Sequence, residues 1–472
     1  MTTSASISLS TSQDVMPPPA KRQRREEQDQ SVKTTNDGSE DKEDLPITKK
    51  AKKKDRTMPI FHSEAYQSAL LQPFPVCPAP PNYAQGLFLA PMVRIGTLPT
   101  RLLSLRYGAD LVWSPEIVDR AIMSASRTVH PRTGLIDFQN AEGRSVFTTH
   151  AVEKSRLIFQ LGSATPSQAF EAIRVVSGDV AGVDLNCGCP KQFSTSGGMG
   201  ANLLTTPDIL CDVLRAMRHA APPHVAVTCK IRLLPTQEDT IKLVQQIVRT
   251  GVVNAITIHC RTKEMRPREA ALLGRFREVA QAIRDESGGK VPVVVNGDCW
   301  SAEDEARFLE LTGATSIMIA RGAELNPSVF RRQGKLSVPD IIAPQYARYA
   351  MFFDNTWGNT KYCMGQLNFK DRANIVGKEG ASSTSSQATA PAGAATVKHM
   401  KKADLIALRD TVMSSAGYED MAQAFGLDYE AECAKAPEEM LAEVQEAVDR
   451  LNERDQVAAR EERDQAQVAA PS

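Results

Sequence analysis

Short, almost uninterrupted apolar runs alternate along this chain with longer stretches in which apolar residues recur every three or four positions. From residue 86 the runs are GLFLAP (86–91), ADLVWS (109–114), LIFQLG (157–162), GVDLN (182–186), AVTCKI (226–231), AITIHC (255–260), VPVVVN (291–296) and SIMIAR (316–321). Runs of this kind, apolar on both faces, mark strands that are buried on both sides. Between most of them lie amphipathic stretches at 166–177, 206–219, 237–250, 269–284 and 302–311, which predict helices. Eight strand–helix repeats over about 240 residues predict an α/β fold, a (β/α)8 TIM barrel over 85–334. An open doubly wound sheet is the alternative, but no GxGxxG follows the first strand.

Past residue 334 the alternation stops. The segment 339–375 predicts two helices rich in aromatic and basic side chains. A Ser/Thr/Ala/Gly stretch at 378–397 reads as a low-complexity insertion. Residues 402–452 return to helix, with Met440, Leu441, Val444, Val448 and Leu451 on one face that must pack on something. A helical domain over 335–452 is therefore expected, followed by a polar tail, 453–472, that frays. Upstream, 58–84 reads as a Pro-rich linker. Residues 1–57 carry too few apolar side chains to offset the entropy of folding, so a disordered tail is expected.

The chain has 472 residues with 56 basic and 56 acidic side chains, so net charge points to no partner. Its distribution is uneven. KRQRR (21–25) and KKAKKKDR (49–56) form two basic clusters in the polar tail. They read either as a bipartite nuclear import signal or as a solvated arm that adheres to polyanions, and both are compatible with an RNA partner. Nuclear or cytoplasmic residence, or both, is the expectation. The nine cysteines are scattered, and no secretory leader precedes them, which suits a reduced intracellular monomer. No apolar run is long enough to cross a bilayer, so no membrane association is expected.

In an α/β barrel the functional groups gather where strands end, because the loops that follow form one mouth. The eight ends offer Pro91-Met92-Val93, Glu116, Gln160, Asn186, Lys230 with Arg232, His259 with Arg261, Asn296-Gly297-Asp298, and Ala320-Arg321-Gly322. Each polar group alone could satisfy backbone or pack, and each glycine alone could serve a turn. Lys230 differs, since an ammonium closing so apolar a strand is costly unless it meets an anion or a ligand. Gly297 and Gly322, beside Asn296 and Arg321, suit the phosphate cradle that barrels build after strands seven and eight. A cation at strand five can also stabilise the charge that reduction places on a flavin, so the set fits FMN better than a sugar phosphate.

The fourth strand runs into DLNCGCP (184–190). Two cysteines separated by one residue are too close for an unstrained disulfide, and no further Cys or His has zinc-like spacing. Thiol chemistry or packing remains. Cys189 lies in the loop and reads as reactive; Cys187, nearer the strand, reads as a small apolar filler.

LAPMVRIGTLPTR (89–101), DLNCGCPKQFSTSGGMGANLL (184–204), TCKIRLLP (228–235), IHCR (258–261) and NGD (296–298) together resemble the tRNA-dihydrouridine synthases. The resemblance covers 85–334 and, more loosely, 339–375 and AQAFGLDYEAE (422–432), where that family carries a helical tRNA-binding domain. In length and spelling it is most similar to eukaryotic members that modify uridine 20 of the D-loop. It implies that Cys189 is the catalytic cysteine. Pro91, Met92, Val93, Glu116, Gln160, Lys230, His259, Asn296, Gly297, Asp298, Ala320 and Arg321 would bind FMN, and Asn186 and Arg232 would hold the target uracil. The implied reaction adds hydride at C6 of uracil and a proton at C5, the latter from a thiol that must stay protonated. NADPH or NADH would reduce the flavin in a separate half-reaction. The base would have to leave the tRNA stack, while aromatic and basic helices at 339–375 would track the RNA. Cys187 departs from the family, whose members often have an apolar residue there. Rival readings are another FMN barrel acting on a small molecule and a non-catalytic RNA-binding barrel.

Overall fold

The computed structural model describes residues 63–195, 197–371 and 401–469. The 1–57 tail with its two basic clusters, and the 378–397 insertion, lie outside the described residues. Eight parallel strands form the core: β1 (Leu87–Leu89), β2 (Leu111–Trp113), β3 (Leu157–Gly162), β4 (Gly182–Cys187), β5 (Ala226–Arg232), β6 (Ala255–His259), β7 (Val293–Asn296) and β8 (Ser316–Ile319). Their order is β2-β1-β8-β7-β6-β5-β4-β3, and pairing of Val112 with Leu157 and Trp113 with Ile158 closes the ring. The expected TIM barrel is therefore present, with every strand beginning inside its apolar run. Apart from Arg266–Arg268, which cluster separately, the described residues from 63 onward form one unit.

Alternation along each strand sorts side chains into two cores. Outward residues such as Leu89, Val112, Phe159, Leu185, Ile231, Ile258, Val295 and Ile319 pack in the large core. The surrounding helices include α1 (Leu98–Arg106), α2 (Pro166–Val176), α3 (Pro207–Ala220), α4 (Gln237–Arg249), α5 (Phe276–Ser287) and α6 (Glu305–Thr312). α5 begins later than its periodicity suggests, because Leu273–Arg275 form a 3-10 turn first. Inward residues Phe88, Leu111, Trp113, Ile158, Ala226, Val294 and Met318 fill the lumen. Tyr83, from the Pro-rich approach, joins them edge-on to Phe88 and Trp113 at centroid distances of 6.4 and 6.3 Å. The approach thus seals the barrel in addition to leading into it. Higher up, the inward positions turn polar.

Further features differ from the sequence expectation, and the segment read as a linker holds a short helix, Glu64–Ala69. Between β2 and β3 the chain forms a three-stranded antiparallel sheet, Ser126–Val129, Ile136–Gln139 and Ser145–Thr149. Its first strand is exposed throughout and carries no apolar run. The polar segment after 452, expected to fray, continues a helix to Ala469. After α7 (Arg321–Leu325), the helical region comprises α8 (Ala343–Phe352), α9 (Trp357–Gln366), α10 (Lys402–Ser414), α11 (Tyr418–Ala424), α12 (Tyr429–Ala434) and α13 (Pro437–Ala469). α13 buries Met440, Leu441, Val444 and Val448 and packs against α1. Further along it, Arg454 pairs with the buried Asp110 at 2.6 Å and Asp455 with Arg156 at 2.6 Å. These ion pairs hold the polar turns in place.

Candidate active site

Parallel pairing places the polar inward residues in rungs at the C-terminal end of the barrel. Gln160 on β3 is level with Asp184 on β4, and Asp184 with Thr228 on β5. One layer up, Asn186 is level with Lys230. Above that, Arg232, His259 and Asn296 are successive neighbours on β5, β6 and β7. Pro91, Met92, Val93, Glu116, Cys189, Gly297, Asp298, Ala320 and Arg321 follow the same strand ends. One mouth therefore gathers all the strand-end candidates.

Its floor contains a residue that the strand-end search passes over. Asp184 is fully buried and accepts hydrogen bonds from Gln160 Nε2 at 2.8 Å and Thr228 Oγ1 at 2.7 Å. A charged residue inside the otherwise apolar GVDLN run was the available signal. Burial pushes its carboxyl up to about 6, against the pull of Gln160, Thr228 and Lys230. Lys230, nine-tenths buried, is lowered to about 8, mainly by desolvation and then by Arg232. Asp184, one rung below, is the carboxylate whose charge pulls the other way. Because Asp184 takes the Gln160 amide N–H, the Gln160 carbonyl oxygen is left to accept from a ligand.

On the far side, Asp298 gathers cations. It accepts from Arg261 at 2.5 Å, from Arg321, and from the Ala271 N–H at 2.7 Å. Arg321 also lies 4.7 Å from the centroid of Trp300. Gly297 has φ +130°, and a Cβ there would lie 3.1 Å from Ala271 Cβ. His259 sits against Arg261 with 3.3 Å between ring and guanidinium nitrogens. Burial and the cations Lys230, Arg232, Arg261 and Arg321 hold its imidazole well below the usual range, hence neutral. Asn296 donates to the Met318 carbonyl at 2.8 Å, which fixes its amide.

The β4 loop closes the third side. Asn186 Oδ1 accepts from the N–H groups of Gly188 at 3.0 Å and Cys189 at 3.2 Å, while Arg232 Nε donates to the Gly188 carbonyl at 2.6 Å. The loop thus occupies both residues assigned to the uracil. The Asn186 amide also acts on Glu116, and Arg232 Nη1 donates to the Thr262 carbonyl at 2.9 Å, which leaves the guanidinium its planar face for a ligand. Ser194 Oγ donates to Glu116 Oε1 at 2.7 Å. The Cys189 carbonyl accepts from the Ala201 N–H at 2.9 Å. Cys187 is fully buried in the outer core, and Cys189 is half-exposed in the mouth. All nine cysteines are free thiols. Burial, then Glu116, raises the Cys189 thiol above its ordinary 9.0. Lys191 is exposed; its backbone N–H and its charge pull the other way.

The helical region touches the mouth through α9. Asn359 Nδ2 donates to the Arg94 carbonyl at 2.7 Å, and Cys363 Sγ approaches the same oxygen at 3.1 Å. Of the aromatics in 339–375, Tyr346, Tyr349, Phe352 and Phe353 are buried in packing rather than offered to a partner. Tyr362 is exposed, with Arg94 stacked 5.3 Å from its centroid. A cleft of about 650 Å³ runs between the antiparallel sheet and the helices, lined by Pro115, His130, Arg132 and Asn355 among others.

The family model described as Dihydrouridine synthase (Dus) matches residues 88–412. The tRNA-dihydrouridine(20) synthase (NAD(P)+) of Schizosaccharomyces pombe is 48% identical over 292 residues, 61% of this chain and 60% of that protein. Its namesake in Saccharomyces cerevisiae is 40% identical over 305 residues, 61% of this chain and 78% of that protein. A tRNA-dihydrouridine(20a/20b) synthase-like protein of Homo sapiens is 30% identical over 242 residues, 51% of this chain and 69% of that protein. The chain thus spans 60% of the length of the fission-yeast relative. With a family model matched from β1 to α10, the chain belongs to the dihydrouridine synthase family.

Proposed function

We propose that this protein reduces the C5=C6 bond of uridine in the tRNA D-loop, at position 20, to 5,6-dihydrouridine, with FMN as cofactor and NAD(P)H as reductant. The observation that carries this reading is the half-buried Cys189 thiol, kept protonated in the same mouth as Gln160, Lys230 and His259. The mouth suits FMN on its own chemistry. The Lys230 ammonium closes an otherwise apolar strand at the mouth, the Gln160 carbonyl is left to accept, and Gly297 lets backbone approach closely. Gln160, Lys230 and His259 would hold the ring, and Asn296, Gly297, Ala320 and Arg321 the phosphate end. FMN, when bound, supplies hydride for C6.

The chain's own residues do the rest. Asn186 and Arg232 hold the uracil edge, and Cys189 delivers a proton to C5, where charge develops next to the C4 carbonyl. Neutral His259 donates one N–H without adding a cation beside Lys230. Exposed Tyr362, with Arg94 and Lys361 nearby, and the cleft beside the antiparallel sheet offer stacking and phosphate contacts to an RNA whose base has left its stack. The deciding experiment maps dihydrouridine by position in tRNA from cells lacking this protein. Loss confined to position 20, restored by the intact gene, is expected; an unchanged map would overturn the proposal.

A further inference from the structure

Glu116 has a buried oxygen, Oε2, without a well-aligned partner among the described residues. Its residue is 8% exposed, Oε1 accepts from Ser194, and the Asn186 and Cys189 side chains are the other groups that act on the carboxyl. Two features press this carboxyl into one place. Gly162 faces it without a side chain, and a Cβ there would lie 2.6 Å from Oε1. Ser194 is itself fully buried beneath Gly200, whose φ of +59° turns the loop back over Cys189. A Cβ at Gly200 would lie 2.6 Å from the Cys189 carbonyl oxygen and collide with Ser194 Oγ. The loop is therefore folded so that the sulfur and the Glu116 carboxyl are neighbours, and each acts on the other electrostatically.

The other charges around that sulfur are all positive. Lys191 acts on it from its own loop, and Lys230 and Arg232 act on it from β5. Cations beside a thiol favour the thiolate, which is how nucleophilic cysteines are made. An acid needs the opposite. In the proposed reaction the S–H bond breaks as C5–H forms, the electron pair stays on sulfur, and the thiolate regains a proton from solvent. We propose that Glu116 is a positioning residue whose carboxylate keeps Cys189 in the thiol form against these three cations and accepts its S–H through Oε2. The inference rests on Cys189 being the proton donor, but it can be tested without tRNA.

The test measures alkylation of Cys189 by iodoacetamide against pH in the full-length, flavin-loaded protein, read at the Cys189 peptide by mass spectrometry. Glu116→Gln should move the profile to lower pH, raising the rate near neutrality about tenfold for each pH unit that the profile moves. Glu116→Asp should restore much of the original profile. A Glu116→Gln protein that keeps its flavin and shows an unmoved profile would overturn the inference. If that variant does not fold, the S–H stretch of Cys189 in the native protein, isolated by difference against Cys189→Ala, decides. A frequency lowered by a carboxylate acceptor supports the inference, and that of a free thiol overturns it. A profile that moves, in a protein whose absence leaves tRNA dihydrouridine unchanged, would sink the functional reading while leaving Glu116 in this role.

Discussion

Two cysteines with one residue between them have opposite fates because one side chain points into the outer core and the other lies in the loop that enters the mouth. Cys189→Ala should retain flavin absorbance and NAD(P)H oxidation but form no dihydrouridine in purified tRNA. Cys187→Ala should keep full activity and lose only about 1 kcal/mol of stability for the small void it leaves. The buried Asp184 and Lys230 predict a pH profile of stability. Asp184 titrates near 6 in the fold against an ordinary 3.8, so between those values the folded state holds more protons than the unfolded one. Stability therefore falls as pH rises from about 4 to 6. Lys230 titrates near 8 against 10.5, so in that interval the unfolded state holds more protons and stability rises with pH. Urea midpoints of the flavin-free protein measured from pH 4 to 10 should show both arms, and Asp184→Asn should flatten the acid one. The strand-end residues were legible because an apolar strand that ends in a polar group has few other uses for it. Asp184 was not, since it lies inside a run whose apolar neighbours hid it. Neither were Ser194 and Gly200, which matter only through a loop closure that sequence spacing does not specify.

At the scale of elements, the eight strands were readable from their apolar runs alone, because burial on both faces leaves little room for polar interruption. The antiparallel sheet at 126–149 was not readable, since SRTV is exposed and Ile136, Phe138 and Phe147 are its few apolar side chains buried in the core. The last turns of α13 misled for a different reason. Their polar composition reads as solvated, but it includes Arg454 and Asp455, which bond to Asp110 and Arg156. Asp110 also accepts the Leu87 N–H at 2.7 Å at the start of β1. Asp110→Ala removes both contacts and leaves a strand donor buried without a partner, so a loss of about 2–4 kcal/mol in denaturant unfolding is expected. The β4 loop gives a sharper case. Gly200→Ala strains the positive φ and drives a methyl against Ser194 and the Cys189 carbonyl. Its thermal midpoint should fall as well, because Gly200 and the neighbouring Ala201 and Leu203 are buried, and dihydrouridine formation should fall at least tenfold (about 1.4 kcal/mol in barrier).

On the scale of the whole molecule, the barrel and the helices share more than an apolar seam. The Arg94 carbonyl, in the loop after β1 that also carries Pro91, Met92 and Val93, is the acceptor for both Asn359 and Cys363 of α9. Arg94 itself sits at φ +70°, a conformation that a non-glycine side chain keeps only when its surroundings hold it there. One backbone oxygen is thus the common anchor of the loop proposed to meet FMN and the helix that presents Tyr362. Neither can shift without disturbing the other, so the two ligands should be thermodynamically linked. If RNA tightens FMN binding by some factor, FMN must tighten RNA binding by the same factor. Asn359→Ala should bring both ratios towards one together, as measured by flavin fluorescence titration with and without tRNA.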